Sequence, residues 1–254
     1  MTKRDDLPGT GRARRSDLDN WAPLVDRLQV SGAPEDAPNL VEGRRLVGPL
    51  QGFGRMWQKT YRVRLQDVGV TPAELIATWK ERFAEFWPPG NRFYAPLTGI
   101  APGEVALLSV AAGPMRLSTG VMVLYGDEES FTLMTPQGHM LAAWITFSAY
   151  EEQDSVVAQV QALLRTQDPL SELGFALGGH RQEDRFWEQT LRSLAAHFGD
   201  EPAVEQEAKC IDTRRNWSHA GNVWHNVGIR STLYTLGGPV RWAGRSFRRT
   251  SRGD

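Results

Sequence analysis

The stretch that decides the fold, residues 168–199, reads DPLSELGFALGGHRQEDRFWEQTLRSLAAHFG. It predicts one or two helical turns over 168–173, a break at Gly178-Gly179, and a long helix from about Gln182 to Phe198. The apolar stripe of that helix consists of Trp187, Leu191, Leu194 and Phe198, with Ala195 beside it. A helix with one apolar face buries that face against another layer of the fold.

A run of strands precedes this helix and supplies that layer. The candidate strands are 92–97, 104–111, 115–125, 130–135, 139–150 and 155–165. Short turns that are rich in glycine, proline and acidic residues separate them, as in Gly126-Asp127-Glu128-Glu129. Because short turns join antiparallel neighbours, the run is predicted to be a meander.

One strand and one helix come before the meander. Residues 56–65 alternate, with an apolar face formed by Trp57, Tyr61, Val63 and Leu65. Thr71-Pro72-Ala73-Glu74 then offers an N-cap, a proline at the first helical position and a capping-box glutamate. Pro88-Pro89-Gly90 ends that helix. Helices that flank a meander indicate an α+β fold and not an alternating parallel one.

This element order resembles that of the START-like superfamily, also called SRPBCC or birch-pollen-allergen-like, over about residues 55–198. Two stretches carry the resemblance: GFGRMWQKTYRVRL, residues 52–65, and the segment 168–199. The resemblance implies a helix-grip fold, in which a curved seven-stranded antiparallel sheet wraps around a long C-terminal helix. It also implies a cavity between sheet and helix that holds an apolar ligand. Most members of the superfamily bind or carry such ligands, and some are cyclases or aromatases.

Composition divides the chain into three parts. Residues 1–50 are predicted to be a disordered or loosely docked tail, residues 51–199 the helix-grip domain, and residues 200–254 a basic, aromatic tail. Charge follows a similar division, since residues 51–207 hold 12 Lys and Arg against 20 Asp and Glu. Residues 208–254 hold 9 Lys and Arg against 2 Asp. The C-terminal segment is therefore attracted to anionic surfaces, including its own domain.

The basic segment 208–254 also carries aromatic residues, namely Trp217, Trp224, Tyr234, Trp242 and Phe247. Segments of this kind bind an anionic membrane surface, a protein partner or their own domain, and nucleic acid is the least favoured partner here. Because charge alone does not hold a tail in one place, we expect Trp217 or Trp224 to be buried against the domain. The arginines from Arg241 to Arg252 are expected to stay exposed and mobile.

Eight residues are candidates for binding a ligand, because the predicted sheet and helix could bring them to the cavity. They are Trp57, Tyr61, Arg116, Met122, Met134, His139, Trp144 and Trp187. Arg116 could anchor a carboxylate or phosphate headgroup, and His139 could donate a hydrogen bond or act as a base at the cavity mouth. The alternatives are a solid core for the apolar residues and surface positions for Arg116 and His139.

No catalytic residue, metal ligand or cofactor is predicted. Cys210, His219 and His225 lack the spacing of a zinc site and a fourth ligand. There is no G-x-S-x-G motif and no glycine loop for phosphate. The single cysteine excludes a disulfide within the chain and favours a reducing compartment. With no secretory signal and no membrane span in the sequence, the expected location is the cytoplasm, with peripheral membrane association as an option.

The predicted function is the binding or carrying of a hydrophobic small molecule or lipid between the sheet and the C-terminal helix. A polyketide cyclase or aromatase-type enzyme is one alternative. The other is an interaction protein whose core is filled and which acts through residues 208–254.

Overall fold

The computed structural model describes residues 17–34, 37–112 and 115–236. Within these ranges the chain forms an eight-stranded antiparallel sheet with the strand order β2-β3-β4-β5-β6-β7-β1-β8. The strands are β1 (Met56–Gln66), β2 (Arg92–Tyr94), β3 (Val105–Ala112), β4 (Met115–Gly126), β5 (Ser130–Met134), β6 (Leu141–Glu152), β7 (Ser155–Thr166) and β8 (Glu205–Asp212). The α-helices are α1 (Pro72–Glu81), α2 (Pro169–Gly174), α3 (His180–His197) and α4 (Val227–Leu236).

Helix α3 packs against the inner face of the sheet through the predicted stripe. Trp187, Leu191 and Leu194 are buried in the main core, and Phe198 is partly buried at the end of the helix. Gly178 has a φ of 137°, which only glycine adopts without strain, and it separates α2 and the following π-helical turn from α3. The predicted α+β helix-grip class and the break before the long helix are therefore confirmed.

Helix α1 closes the other end of the same core. Its capping box forms as predicted, because Thr71 N donates to Glu74 Oε2 at 2.9 Å and Glu74 N donates to Thr71 Oγ1 at 3.3 Å. Trp79 of this helix is fully buried, and its ring meets the Phe147 ring edge-on at 5.3 Å between centroids. Such aromatic contacts make this end of the domain a solid core.

The sheet has one strand more than the seven predicted. Residues 205–212, assigned from composition to the C-terminal tail, pair antiparallel with β1 from Met56 to Arg62. Most side chains of β8 are exposed, so the strand has no dry face that an alternating pattern could reveal. Its backbone satisfies the hydrogen-bonding groups of an edge of β1 that would otherwise be open.

The N-terminal segment lies on the outer face of the sheet. Leu28 and Val41 are buried there with Leu107 and Met122 in a second, smaller apolar cluster. Single backbone bridges from Trp21 and Leu46 to the sheet hold the two ends of the segment. The three-part division of the chain remains a proposal, to which the structure adds this packing.

The C-terminal segment covers a gap in the sheet. Strand β5 pairs with β4 only from Met122 onward, which leaves the first half of β4 without a strand partner on that side within the described part of the chain. Helix α4 lies there, and Ser231 Oγ accepts a hydrogen bond from Ser118 N at 2.9 Å. None of the helices in the described ranges is long and apolar enough to cross a membrane.

The prediction that Trp217 or Trp224 is buried against the domain was wrong. Trp217 and Trp224 are 71% and 83% exposed, although the Trp217 ring touches that of Phe53 at 5.1 Å between centroids. The segment is held instead by buried polar contacts of Asn226 and by burial of Val227. Trp242, Phe247 and the arginines from 241 to 252 lie outside the described residues.

Candidate functional site

A cavity of about 740 Å³ lies between α3, α4 and the inner face of the sheet. Its sheet wall is apolar and is formed by Leu108, Val110, Leu117, Val121, Leu133 and Ile145. The α3 wall carries Gln182, Glu183, Phe186 and Trp187. This volume is within the range of about 300–1,000 Å³ that is typical of small-molecule sites.

Helix α4 and the α2 region complete the cavity. Ile229 and Leu233 of α4, together with Leu170 and Phe175 of the α2 region, belong to its lining. Leu170 is 46% exposed and Leu233 is 64% exposed, so the cavity reaches the surface between α2 and α4. The sequence that follows β8 therefore supplies one wall of the site, and it is not a separate appendage.

A buried polar network stands behind the α3 wall. Lys59 Nζ, in a side chain only 2% exposed, donates to Glu183 Oε2 at 2.8 Å and to Asp184 Oδ1 at 2.7 Å. The Tyr61 hydroxyl donates to the same Asp184 oxygen at 2.7 Å. Strand β1 places Lys59 and Tyr61 on its inner face, and the N-terminal turn of α3 places the two carboxylates opposite them.

Glu183 is the member of this network that lines the cavity. Its Oε1 atom is buried and meets no donor in good hydrogen-bond geometry among the described residues, but the Trp187 side chain is close enough to act on the carboxyl group as a hydrogen-bond donor. Burial raises the pKa of Glu183, while Lys59 opposes that rise. The pKa of Asp184 is lowered, because its bonds from Lys59 and Tyr61 outweigh the opposing effect of burial. The network thus holds one lysine against two carboxyl groups.

The neighbouring imidazole does not balance the charge. The His180 ring lies 4.2 Å from that of Phe175 between centroids. Burial, and then the charge of Lys59, lower the pKa of His180, so its neutral form is favoured at neutral pH. Lys59 Nζ also lies 5.7 Å from the centre of the Phe175 ring. Apolar and aromatic side chains therefore surround a polar network in which two carboxyl groups share one lysine.

His139 lines the cavity as a neutral, structural group. It is 7% exposed, and its Nδ1 accepts a hydrogen bond from Leu141 N at 2.9 Å. Burial lowers the pKa of His139 to about 4. At neutral pH the imidazole therefore adds no charge to the cavity.

Two of the eight predicted ligand-binding residues, His139 and Trp187, line the cavity. Tyr61 lies behind its wall in the network, and the Trp57 ring packs against that of His180 at 4.9 Å. Arg116 is exposed and donates to the Gly90 carbonyl at 2.9 Å, away from the cavity lining.

Met122, Met134 and Trp144 require correction, because they lie on the outer face of the sheet. Side chains alternate between the two faces of a strand, and the cavity is lined by the neighbouring residues Val121, Leu133 and Ile145. Met122 packs under the N-terminal segment, and Met134 pairs with Trp144 across β5 and β6.

Lys59 and Glu183 were missed, although both interrupt an apolar pattern. Lys59 has the same parity as Trp57 and Tyr61 on the dry face of β1. Glu183 precedes Trp187 by four residues, which places it on the apolar stripe of α3. A charged residue at each of two inward positions is the signal that could have identified this network.

No family model matches this sequence, and no curated protein matches it either. Solved structures that are similar include protein Ms6760 from Mycobacterium smegmatis, with 10% identity and a TM-score of 0.41 over 56% of this chain and 90% of that one. Ara h 8.0201 gives 14% identity and a TM-score of 0.40 over 56% of this chain and 97% of that one. The di-domain ARO/CYC StfQ from the steffimycin biosynthetic pathway gives 9% identity and a TM-score of 0.43 over 56% of this chain and 50% of that one.

Similarity at these identities concerns the fold alone. In the chain itself, a meander of antiparallel strands closes onto β1, and α3 crosses the inner face of the resulting sheet. The chain therefore has the helix-grip fold that its resemblance to the START-like superfamily predicted.

Proposed function

We propose that this protein binds a hydrophobic small molecule or lipid in the cavity between α3 and the sheet. The cavity volume of about 740 Å³ carries the proposal. Protein interiors are packed as densely as organic crystals, and voids larger than a water molecule are few. Side chains such as Val121 and Leu133 leave this space open, so a ligand is its natural occupant.

The lining indicates what kind of molecule enters. Leu108, Leu117, Ile145 and Trp187 offer apolar surface, and each Å² of apolar ligand surface removed from water contributes about 25 cal/mol. The polar groups of the lining are few, which suits a ligand with a large apolar body and a small polar part.

Native mass spectrometry of the purified protein, looking for a co-purified lipid, is one test. A second test measures energy transfer from tryptophan to bound pyrene in the wild type and in Val110→Trp, which fills part of the cavity. Val25→Trp, in the N-terminal segment outside the cavity lining, is the matched control. We expect pyrene to bind the wild type and the control and to bind Val110→Trp much more weakly. Equal binding by all three, or by none, contradicts the proposal.

A polyketide cyclase or aromatase-type enzyme is the second candidate, and Glu183 is the observation that favours it. Glu183 lines the cavity and burial raises the pKa of its carboxyl group, and a carboxyl group in such a place has the properties of a general acid or base. Turnover of a polyketide-like substrate that Glu183→Gln abolishes, in a folded variant, would establish this candidate. His139 is less suited to the role, because its Nδ1 is already bonded to the backbone.

Residues 208–254 are proposed to bring the protein to an anionic membrane surface. Trp217 and Trp224 are both exposed, and Arg214 and Arg215 lie on the same segment. Exposed tryptophan beside basic residues suits the interface between lipid and water. The alternative is that this segment binds a protein partner, and the vesicle experiment in the Discussion distinguishes the two.

A further inference from the structure

We propose that Arg44, His225 and Arg230 form a binding site for a phosphate monoester where the N-terminal segment meets α4. A free phosphate ester and the phosphate headgroup of a lipid share this chemistry, and the test separates the two sources. The inference goes beyond the proposed function, because none of the three residues lines the cavity.

Both arginines are held at this junction by contacts of the N-terminal segment. The backbone N of Arg44 donates to the Val41 carbonyl at 3.0 Å, and the Arg44 carbonyl accepts from Leu28 N at 2.8 Å. Leu28 and Val41 are themselves buried against the sheet. From α4, Arg230 Nη1 donates to the Leu40 carbonyl of the same segment at 3.2 Å. A site on these residues is therefore preorganised by both terminal segments.

His225 supplies a neutral donor beside the arginines. Its Nδ1 atom lies 3.0 Å from Arg44 Nη1. Because a guanidinium group can only donate, Nδ1 accepts this hydrogen bond and the ring proton is on Nε2. Burial, and then the charges of Arg44 and Arg230, lower the pKa of His225, so the neutral form of the ring is favoured at neutral pH.

The positive charge of the two arginines is not compensated within the described part of the chain. No ion pair there involves Arg44 or Arg230. Glu42, the nearest acid to Arg44 along the chain, accepts instead from Val30 N at 2.8 Å. Burial lowers the pKa of both arginines, and the charge of Arg44 lowers that of Arg230 further. Two like charges that are partly removed from water are stabilised by an anion.

The remaining donors can be reached from outside the chain. His225 Nε2 and the Nε and Nη2 atoms of Arg44 and Arg230 make no hydrogen bond to a described residue, and none of these atoms is enclosed by the described chain. A cleft of about 10 Å³ beside them has His225, Arg230, Ser118 and Thr119 in its lining. A cleft of that size holds one water-sized group, such as a single phosphate oxygen.

Charge favours a phosphate monoester over other anions. The site combines two guanidinium charges with a neutral imidazole, so a dianion balances it. A phosphate monoester carries about −1.5 to −2 charges at pH 7 and has three strong acceptor oxygens. A carboxylate or a phosphodiester carries one negative charge and leaves one arginine uncompensated. Guanidinium groups also match the geometry of phosphate oxygens, which they bind in pairs.

The test measures by calorimetry the affinity of the full chain for glycerol 3-phosphate, dimethyl phosphate and acetate at constant ionic strength. The variants are Arg44→Gln and Arg230→Gln. Arg45→Gln is the matched control, because Arg45 is the exposed neighbour of Arg44 and the substitution removes the same charge from the same segment.

We expect the wild type to bind glycerol 3-phosphate about tenfold or more tightly than either monoanion, as one additional charged hydrogen bond provides. Arg44→Gln and Arg230→Gln should each lose about tenfold or more in affinity for glycerol 3-phosphate, and Arg45→Gln should stay within about twofold of the wild type. Glycerol 3-phosphate should also slow amide hydrogen exchange in residues 41–45 and 225–236 of the wild type, where the site joins the two segments.

Vesicles separate the two sources of the phosphate group. Phosphatidylcholine vesicles are prepared with phosphatidate, whose headgroup is a monoester, or with phosphatidylglycerol, a diester, at matched surface charge. A lipid headgroup as ligand gives more wild-type protein on the phosphatidate vesicles, and Arg230→Gln removes that difference. A free phosphate ester as ligand gives equal sedimentation with both vesicles together with binding of glycerol 3-phosphate.

Three outcomes overturn the inference. The first is that neither glycerol 3-phosphate nor phosphatidate is bound in preference to its monoanionic counterpart. The second is an equal loss of affinity in Arg44→Gln and Arg45→Gln, which indicates a diffuse attraction of charge. Should the variants of Arg44 and Arg230 fail to fold, the wild type decides alone, and unchanged exchange in residues 41–45 and 225–236 is the third. None of these outcomes concerns the cavity, because pyrene binding is measured separately.

Discussion

Asn226 Nδ2 lies 3.0 Å from each carboxylate oxygen of Asp168, and both residues are buried. Each of them also caps a helix. Asp168 Oδ1 accepts from Leu170 N and Ser171 N at the start of α2, and Asn226 Oδ1 accepts from Gly228 N at the start of α4. One contact therefore joins the two helices between which the cavity opens.

Replacement of Asn226 by alanine should release α4 from the cavity. The change removes the cap of α4 and leaves the Asp168 carboxylate with one buried partner fewer, at a cost of about 2–4 kcal/mol. We expect faster amide hydrogen exchange over residues 227–236 and weaker pyrene binding, because Ile229 and Leu233 form part of the wall.

Asn222→Ala is the control for this prediction. Asn222 belongs to the same segment, but among the described residues its amide donates to the carbonyls of Gln167 and Gln51, at 3.1 and 3.4 Å, and not to Asp168. The Asn222→Ala substitution should therefore have little effect on amide hydrogen exchange in α4. If the two variants have the same effect on α4, the Asp168 contact is not what holds the helix.

Glu183→Gln should become more stable relative to the wild type as the pH rises. Burial raises the pKa of Glu183 above its ordinary value of 4.5, so the native state binds a proton more tightly than the unfolded chain does. That contribution to stability is complete below pH 4.5 and is lost as the pH rises through the native pKa. Melting temperatures from pH 4.5 to 8 check this, and a difference between the two proteins that does not change with pH contradicts it.

His139 should make the protein sensitive to acid. Its pKa is about 4 in the folded chain against an ordinary value of 6.5. The contribution of the neutral imidazole to the free energy of unfolding is therefore present above pH 6.5 and is lost as the pH falls toward 4. At about 1.4 kcal/mol for each pKa unit, the loss is about 3 kcal/mol.

The variant His139→Asn keeps a short acceptor two residues before Leu141 and does not titrate. Its free energy of unfolding in urea should fall by about 3 kcal/mol less than that of the wild type between pH 7 and pH 4. The surface substitution His197→Asn serves for comparison. Parallel curves for the wild type and His139→Asn would show that another group causes the loss.

The sequence allows the prediction of those parts of the fold that have a dry face. The stripe of α3, the capping box of α1 and the strands from 92 to 166 all follow from periodicity and turn chemistry. Strand β8 could not be predicted in this way, because it contributes backbone pairing and almost no buried surface.

The site was less predictable for a different reason. Met122, Met134 and Trp144 were selected by residue type, whereas the pleat of the strand decides which face a residue occupies, and a shift of one residue exchanges the faces. Glu183 and Asn226 act through contacts with residues far along the chain, such as Lys59 and Asp168. Periodicity within one element can mark Lys59 and Glu183 as charged residues at inward positions, but it does not show which residues pair with each other.

The C-terminal segment should bind anionic vesicles through its exposed tryptophans. Trp224 is 83% exposed and Trp217 is 71% exposed, so neither ring has to leave the core before it enters a lipid interface. Each basic residue near an anionic surface adds about 1 kcal/mol, and salt screens that attraction over about 8 Å at physiological ionic strength.

We expect the full chain to co-sediment with anionic vesicles at low salt. A chain that ends at Gly238 should bind less, and the double substitution Trp217→Ser, Trp224→Ser should also bind less than the full chain. Neutral vesicles should sediment little protein. Truncation removes five arginines together with Trp242 and Phe247, so loss on truncation alone places the contact in residues 239–254. Loss with the double substitution alone places it at Trp217 and Trp224. Equal binding by all three proteins, or by none, removes the membrane proposal and leaves a protein partner for this segment.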